Sequence, residues 1–178
     1  MMDREREFGR GVTPAMRFLD LSRFEAPDPQ PRRAPPPRVA DDAITVVCVE
    51  QSAEIAAALR SAVSRTPGVA WMGWLRDARD LTATVARTRP RIVLLDADAP
   101  GHAVYMNAAE VAELFPECRL IFVGVGASPC VIGRALDAGA WAYVARSDGM
   151  DALLDAVRDV AAGQFVLSPS AGAVYRSA

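Results

Sequence analysis

Arg91-Ile92-Val93-Leu94-Leu95-Asp96 is the segment that most restricts what this chain can become. Four apolar residues run directly into an acid, and a Pro100-Gly101 turn signal follows. A strand apolar on both faces must be covered on both, which is the condition of a central parallel strand. The acid at its end then sits at the carboxyl edge of the sheet, where open α/β folds hold their ligands and chemistry. A carboxylate there can act as a nucleophile, a metal ligand or both.

The surrounding pattern agrees. Ile44 to Val49 reads as a first strand, with Ile55, Leu59, Ala62 and Val63 on one face of a following helix. Val69 to Trp74 is a second strand, and a helix from Asp77 carries Leu81 and Val85 before Pro90 stops it. After the third strand come a helix over roughly 104–114 and a fourth strand, Leu120 to Val123. Val131, Ile132, Ala135 and Leu136 mark the next helix, which Gly139 ends. Trp141 to Ala145 is a fifth strand, and Leu153, Leu154, Val157 and Val160 line a last helix ending at Gly163. Five such units predict a doubly wound five-stranded parallel sheet with helices on both faces.

Residues 1–42 differ in kind. They hold 7 of the 13 prolines and 8 arginines against 8 acids, with too little apolar content for a core. They read as a disordered tail with a short apolar patch at Met16 to Phe24; the alternative is a peptide that docks on a partner or on the chain's own folded domain. The expected organisation is therefore a tail over 1–42, a folded domain over 43–168 and a short C-terminal tail over 169–178.

Composition excludes several classes. The net charge is −2, and nothing points to nucleic acid or an anionic membrane. The N-terminus lacks an apolar signal segment, so a cytoplasmic location is expected. Cys48, Cys118 and Cys130 lie far apart and suggest neither a disulfide framework nor a zinc site. All 20 basic residues are arginine. With lysine absent, no single arginine can be read as a choice over lysine.

The strand ends deliver Glu50 and Gln51, Asp96 with Asp98, Gly124, and Arg146 with Ser147. Together with Val93-Leu94-Leu95-Asp96-x-x-Ala99-Pro100-Gly101 and Ala135-Leu136-Asp137-Ala138-Gly139-Ala140-Trp141-Ala142-Tyr143, this resembles the receiver domains of two-component response regulators. Those domains are flavodoxin-like, with strand order 2-1-3-4-5. The resemblance covers residues 43 to about 168. The ending Val160 to Pro169 resembles receivers that precede a LuxR-type helix-turn-helix domain, and nine residues follow Pro169. No such output domain is expected here.

The resemblance implies a chemistry. An aspartate, here Asp96, attacks a phosphoryl group while an acidic pair and the same aspartate hold a divalent ion. A hydroxyl after the fourth strand and a lysine after the fifth hold the phosphoryl oxygens. Movement of that hydroxyl lets an aromatic, here Tyr143, turn inward and alter the surface made by the fourth helix, fifth strand and fifth helix. This chain departs at three places. The acidic pair is Glu50-Gln51, so Gln51 has lost a charge. The hydroxyl position is Gly124. The lysine position is Arg146, larger and planar in its head group. Asp98 could join Glu50 and Asp96 around a weakened Mg²⁺ site, and Arg146 could pair with Asp96 as a standing mimic of the modified state. A two-state surface needs about 5.5 kcal/mol of differential binding to pass from about 1:99 to 99:1. Each lost charge-assisted contact removes about 1.5–3 kcal/mol of it.

The expectation is a degenerate, stand-alone receiver-like module, not an enzyme, that works by protein–protein contact with weak or no dependence on phosphate. Its partner would be a signalling or transcriptional protein, or a second copy through the switching surface. The alternative is a working single-domain receiver taking phosphate from a histidine kinase onto Asp96. A remoter one is a haloacid-dehalogenase-type phosphohydrolase with Asp96 as nucleophile and Asp98 as acid/base.

Overall fold

The computed structural model describes residues 42–177. The predicted tail over 1–42, with its apolar patch at Met16 to Phe24, lies outside them apart from Asp42. Strand β1 (Ile44–Val49) leads into helix α1 (Ala53–Arg65), whose N-cap Ser52 accepts a hydrogen bond from the Ile55 N–H at 3.3 Å. Strand β2 (Val69–Leu75) and helix α2 (Leu81–Thr88) follow, then β3 (Ile92–Asp96), buried along its whole length. Helix α3 (Ala103–Leu114), strand β4 (Arg119–Gly124) and helix α4 (Pro129–Asp137) come next. Pro129 suits the first turn of α4, where its missing N–H leaves no bond unmade. Gly139, at φ +85°, reverses the chain into β5 (Ala140–Ala145), and helix α5 (Gly149–Ala161) follows.

With a short last strand, β6 (Val166–Leu167), the strands are all parallel, in the order β2-β1-β3-β4-β5-β6. Side chains alternate across the sheet and build two cores. Val93, Leu95, Phe122 and Tyr143 pack with α2, α3 and α4 through Leu81, Val85, Ala108, Val111 and Ile132. Val46, Cys48, Leu94, Ile121 and Val144 pack on the other face with α1 and α5 through Leu59, Val63, Leu153, Val157 and Val160.

Two expectations are corrected at the C-terminal side. The sheet has six strands rather than five, because β6 (Val166–Leu167) pairs with Ala142 and Tyr143 of β5. Ser168 reinforces the join: its N–H donates to Tyr143 O at 3.0 Å and its hydroxyl accepts from Ala145 N–H at 2.9 Å. Residues 169–176, expected as a tail, form helix α6 (Pro169–Arg176), with Ala171 fully buried in the α4 side of the core. Asp148 fastens this helix by accepting from the backbone N–H and the hydroxyl of Ser170. The outer edge of β5 is therefore covered, and α6 lies against α4 and β5. The α4–β5–α5 surface expected as a homodimer face is partly occupied by the chain's own next two elements.

Candidate functional site

Three strand ends meet above the sheet. Glu50 follows β1 and is buried; its Oε1 accepts from Ser52 N–H at 3.0 Å, and its backbone is held on both sides. The Glu50 N–H donates to Leu75 O at 3.0 Å, and the indole N–H of Trp74 donates to Glu50 O at 2.6 Å. Asp96 closes β3 and is also buried. Its Oδ1 accepts from Asp98 N–H at 3.1 Å, while Oδ2 accepts from no group among the described residues. Arg146, after β5, reaches across: its Nη2 donates to Glu50 Oε2 at 2.8 Å and to Asp96 Oδ1 at 2.9 Å.

One guanidinium nitrogen thus joins the acidic-pair position to the nucleophile position. Two buried carboxylates so close would repel each other and face a large desolvation penalty without that cation. Burial is the main influence raising the Asp96 carboxyl above the ordinary range; the Asp98 N–H pulls it down, Glu50 pushes it up and Arg146 pulls it down. The pairing of Arg146 with Asp96 anticipated from the sequence is made, and it extends to Glu50.

The remaining predicted residues are placed differently. Glu50, Asp96 and Asp98 are not brought together as a cation trio. Asp98 turns its carboxylate to the β4–α4 connection, where Oδ2 accepts from Val125 N–H at 2.6 Å. Gln51 is exposed. Among the described residues no three His, Cys, Asp or Glu side chains cluster so as to hold a metal. The third acid of the expected trio is thus engaged by the backbone amide of Val125, while Glu50 and Asp96 share Arg146.

Gly124 and Tyr143 form a second linked pair. A Cβ built on Gly124 would collide with the Tyr143 hydroxyl and come within 3.1 Å of its ring and 3.2 Å of the Ala97 methyl. The phenol occupies the space that a Ser or Thr side chain at position 124 would need. Tyr143 is fully buried, donates to Gly126 O at 2.6 Å, and is pushed up to about 12, chiefly by burial. The sequence identified both positions but not their exclusion of one another. Tyr105, which the sequence reading did not single out, supports the same wall; it stacks on Phe122 and donates to Ala97 O at 2.9 Å. His102, expected to be solvated, is exposed and lies 3.0 Å from Arg134 Nη2.

No protein-family model matches the chain. It is similar to the response regulator GacA of Pseudomonas aeruginosa, 23% identical over 126 residues, 71% of this chain and 59% of that protein. The GacA of Pseudomonas protegens gives the same figures. The chain therefore spans less than two thirds of the length of these curated relatives. Among solved structures, a LuxR-family two-component response regulator from Aurantimonas sp. superposes with a TM-score of 0.72 at 21% identity, over 76% of this chain and 96% of that one. The receiver domain of RcsB from Salmonella enterica, with a phosphomimetic, gives 0.67 at 15% identity over 74% and 98%. The receiver domain of the response regulator NarL from Mycobacterium tuberculosis gives 0.64 at 22% identity over 69% and 99%. No helix among the described residues is long and apolar enough to cross a membrane. Residues 44 to 167, from β1 through β6, thus carry the receiver-domain fold of two-component response regulators.

Proposed function

We propose that this protein is a signalling module of the receiver type whose surface is read by a protein partner with weak or no dependence on phosphorylation. The observation that carries this reading is the Arg146 bridge to Glu50 and Asp96. In a working receiver the aspartate must be open to a phosphoryl donor and a divalent ion must offset the added charge. Here a cation from the chain already offsets the charge of that aspartate, and among the described residues no three acids gather as they would around a metal. The Gly124–Tyr143 pair supports the same reading. The aromatic that would turn inward is already inside, in the space a switching hydroxyl would fill.

The partner would be a signalling or transcriptional regulator, and phosphate input would add little to a surface already set. The test is intact mass after incubation with Mg²⁺ and phosphoramidate, beside Asp96→Asn. No added phosphoryl group is expected. Partner capture by the full chain should be unchanged by Asp96→Asn or by removal of Mg²⁺. A second reading, a working receiver fed by a histidine kinase, has one observation in its favour: Asp96 Oδ2 accepts no hydrogen bond among the described residues. A phosphoryl gain that Asp96→Asn abolishes would establish it instead.

A further inference from the structure

Strand β6 and helix α6 form an arm that reaches the rest of the domain through residues 162–165, all of them exposed. The groups that hold the arm precede that connection. β5 pairs with Val166 and Leu167, Tyr143 O and Ala145 N–H bond Ser168, and the Asp148 carboxylate accepts from Ser170. Ala171 is buried in the core on the α4 side, and Leu167 packs against it. The receiving site is therefore complete without the connection, and an identical arm from another molecule would find every one of these contacts.

The connection is the part least at ease in the closed form. Gly163 stands at φ +96°, a conformation that disfavours any residue with a Cβ. The turn is closed by Gly163 N–H donating to Val160 O and Gln164 N–H to Asp159 O, each at 2.9 Å. Phe165, next in the chain, is 54% exposed although it is the largest apolar side chain of the connection.

We propose that the arm is exchanged with that of a second copy of this chain, each arm seating on the other molecule's β5 edge and α4. Exchange of an identical element closes as a two-fold dimer, and the β5 edge, once opened, is covered again instead of presenting unpaired backbone groups. The occupant is a second copy because the chain's own arm already fits the site in every contact named above. Reciprocal exchange also runs the two connections past each other at the two-fold axis, where the two Phe165 rings shield one another from water. Closure within one molecule is favoured by the short tether, which holds the arm near its own site at roughly millimolar effective concentration. Monomer therefore predominates in dilute solution, and the dimer forms where the chain is concentrated. The inference does not rest on the phosphate-independent reading, since neither Asp96 nor Mg²⁺ enters it.

The test is sedimentation velocity on the full chain from micromolar to millimolar concentration. The parent protein should pass from monomer to dimer toward the upper end of that range. Gly163→Val strains the closed turn but not an extended connection, so its midpoint should fall by at least about tenfold. Phe165→Ser removes the ring shielded only in the dimer and should raise the midpoint by roughly tenfold. Both positions are exposed, so neither change disturbs the core. Cross-linking separates exchange from simple contact. Asp148→Cys and Ser170→Cys are combined with Gly163→Val and with Cys130→Ser, which removes the exposed native thiol and leaves only the buried Cys48 and Cys118. A short bismaleimide should then join two chains in the dimer fraction and close within one chain in the monomer fraction. A protein that stays monomeric at every concentration, in the parent and in Gly163→Val alike, would overturn the proposal. So would a dimer whose cross-links stay within single chains, since it would be a face-to-face association with both arms closed.

Discussion

The two halves of the carboxyl edge are held by different physics. At β1 and β3, Arg146 fixes Glu50 and Asp96 by charge, in a setting where each partner without the other would be expensive to bury. At β4 and β5, Tyr143 is held against Gly124 by shape, with one hydrogen bond to Gly126 O at its tip. A charge bridge responds to pH, and removal of one partner leaves charges without a counterion. A packed ring is indifferent to mild pH change but intolerant of an added methyl group. The contrast matters because these are the two places where a receiver of the resembled kind would couple phosphate to its surface. In this chain each already holds a partner from the chain itself.

The strongest way to break the packed half is Gly124→Ala. The single added carbon collides with the Tyr143 hydroxyl, and the backbone of β4 and the Ala97 methyl leave little room for retreat. Overpacking of this kind destabilises by up to about 3 kcal/mol. Urea denaturation should show a loss of that order, and combining Gly124→Ala with Tyr143→Leu should recover at least about 1 kcal/mol relative to the sum of the single changes. Strict additivity would mean that the two residues do not exclude each other.

Arg146→Met breaks the charged half and leaves Gly124–Tyr143 untouched. Arg146 is partly exposed, so water would relieve some of the penalty, and a loss of about 2 kcal/mol near neutral pH is expected. The sign of its pH dependence is fixed. Asp96 is raised in the folded protein, so the native state keeps that proton to higher pH than the unfolded chain does. Its contribution to stability therefore declines as pH rises from the ordinary carboxylate range to the raised value, and is flat above it. Without Arg146 the raising influences of burial and Glu50 act unopposed by the guanidinium. The decline should extend to higher pH in Arg146→Met, and the gap from the parent protein should close on acidification. Carboxyl ¹³C titration of Asp96 with urea midpoints across the acidic range measures both. A pH-independent gap would show that Arg146 contributes packing rather than charge.

Periodicity was sufficient for the central strands because Ile92 to Leu95 and Leu120 to Val123 are apolar on both faces and can be satisfied only inside a covered sheet. It was insufficient for Val166–Leu167, since two residues complete no period, and for α6, whose Ser170, Gly172 and Val174 are weak helix formers and which is held by Asp148 and by burial of Ala171. At the site, the strand ends placed Asp96 and Arg146 within reach of each other. The turn of Asp98 toward Val125 N–H depends on a loop amide with no signature in residue type. Equally, no pattern in one dimension records that the Tyr143 phenol fills the space beside Gly124.

Tyr143→Phe is the mildest change and the most informative about the packed half. It removes only the hydroxyl that donates to Gly126 O, and Gly126 is exposed, so water can replace the lost donor. The ring, its contacts with β4 and its exclusion of a side chain at position 124 remain. A net hydrogen bond of this kind contributes about 0.5–1.5 kcal/mol, and the exposed acceptor argues for the lower end. If urea denaturation gives a loss of about 0.5–1 kcal/mol and aromatic NMR shifts still report a buried ring, packing alone keeps the aromatic inside. A much larger loss, with the ring moving to solvent, would mean that the hydroxyl is the latch. The β4–β5 half would then depend on polar contact, as the β1–β3 half does, and the contrast between them would disappear.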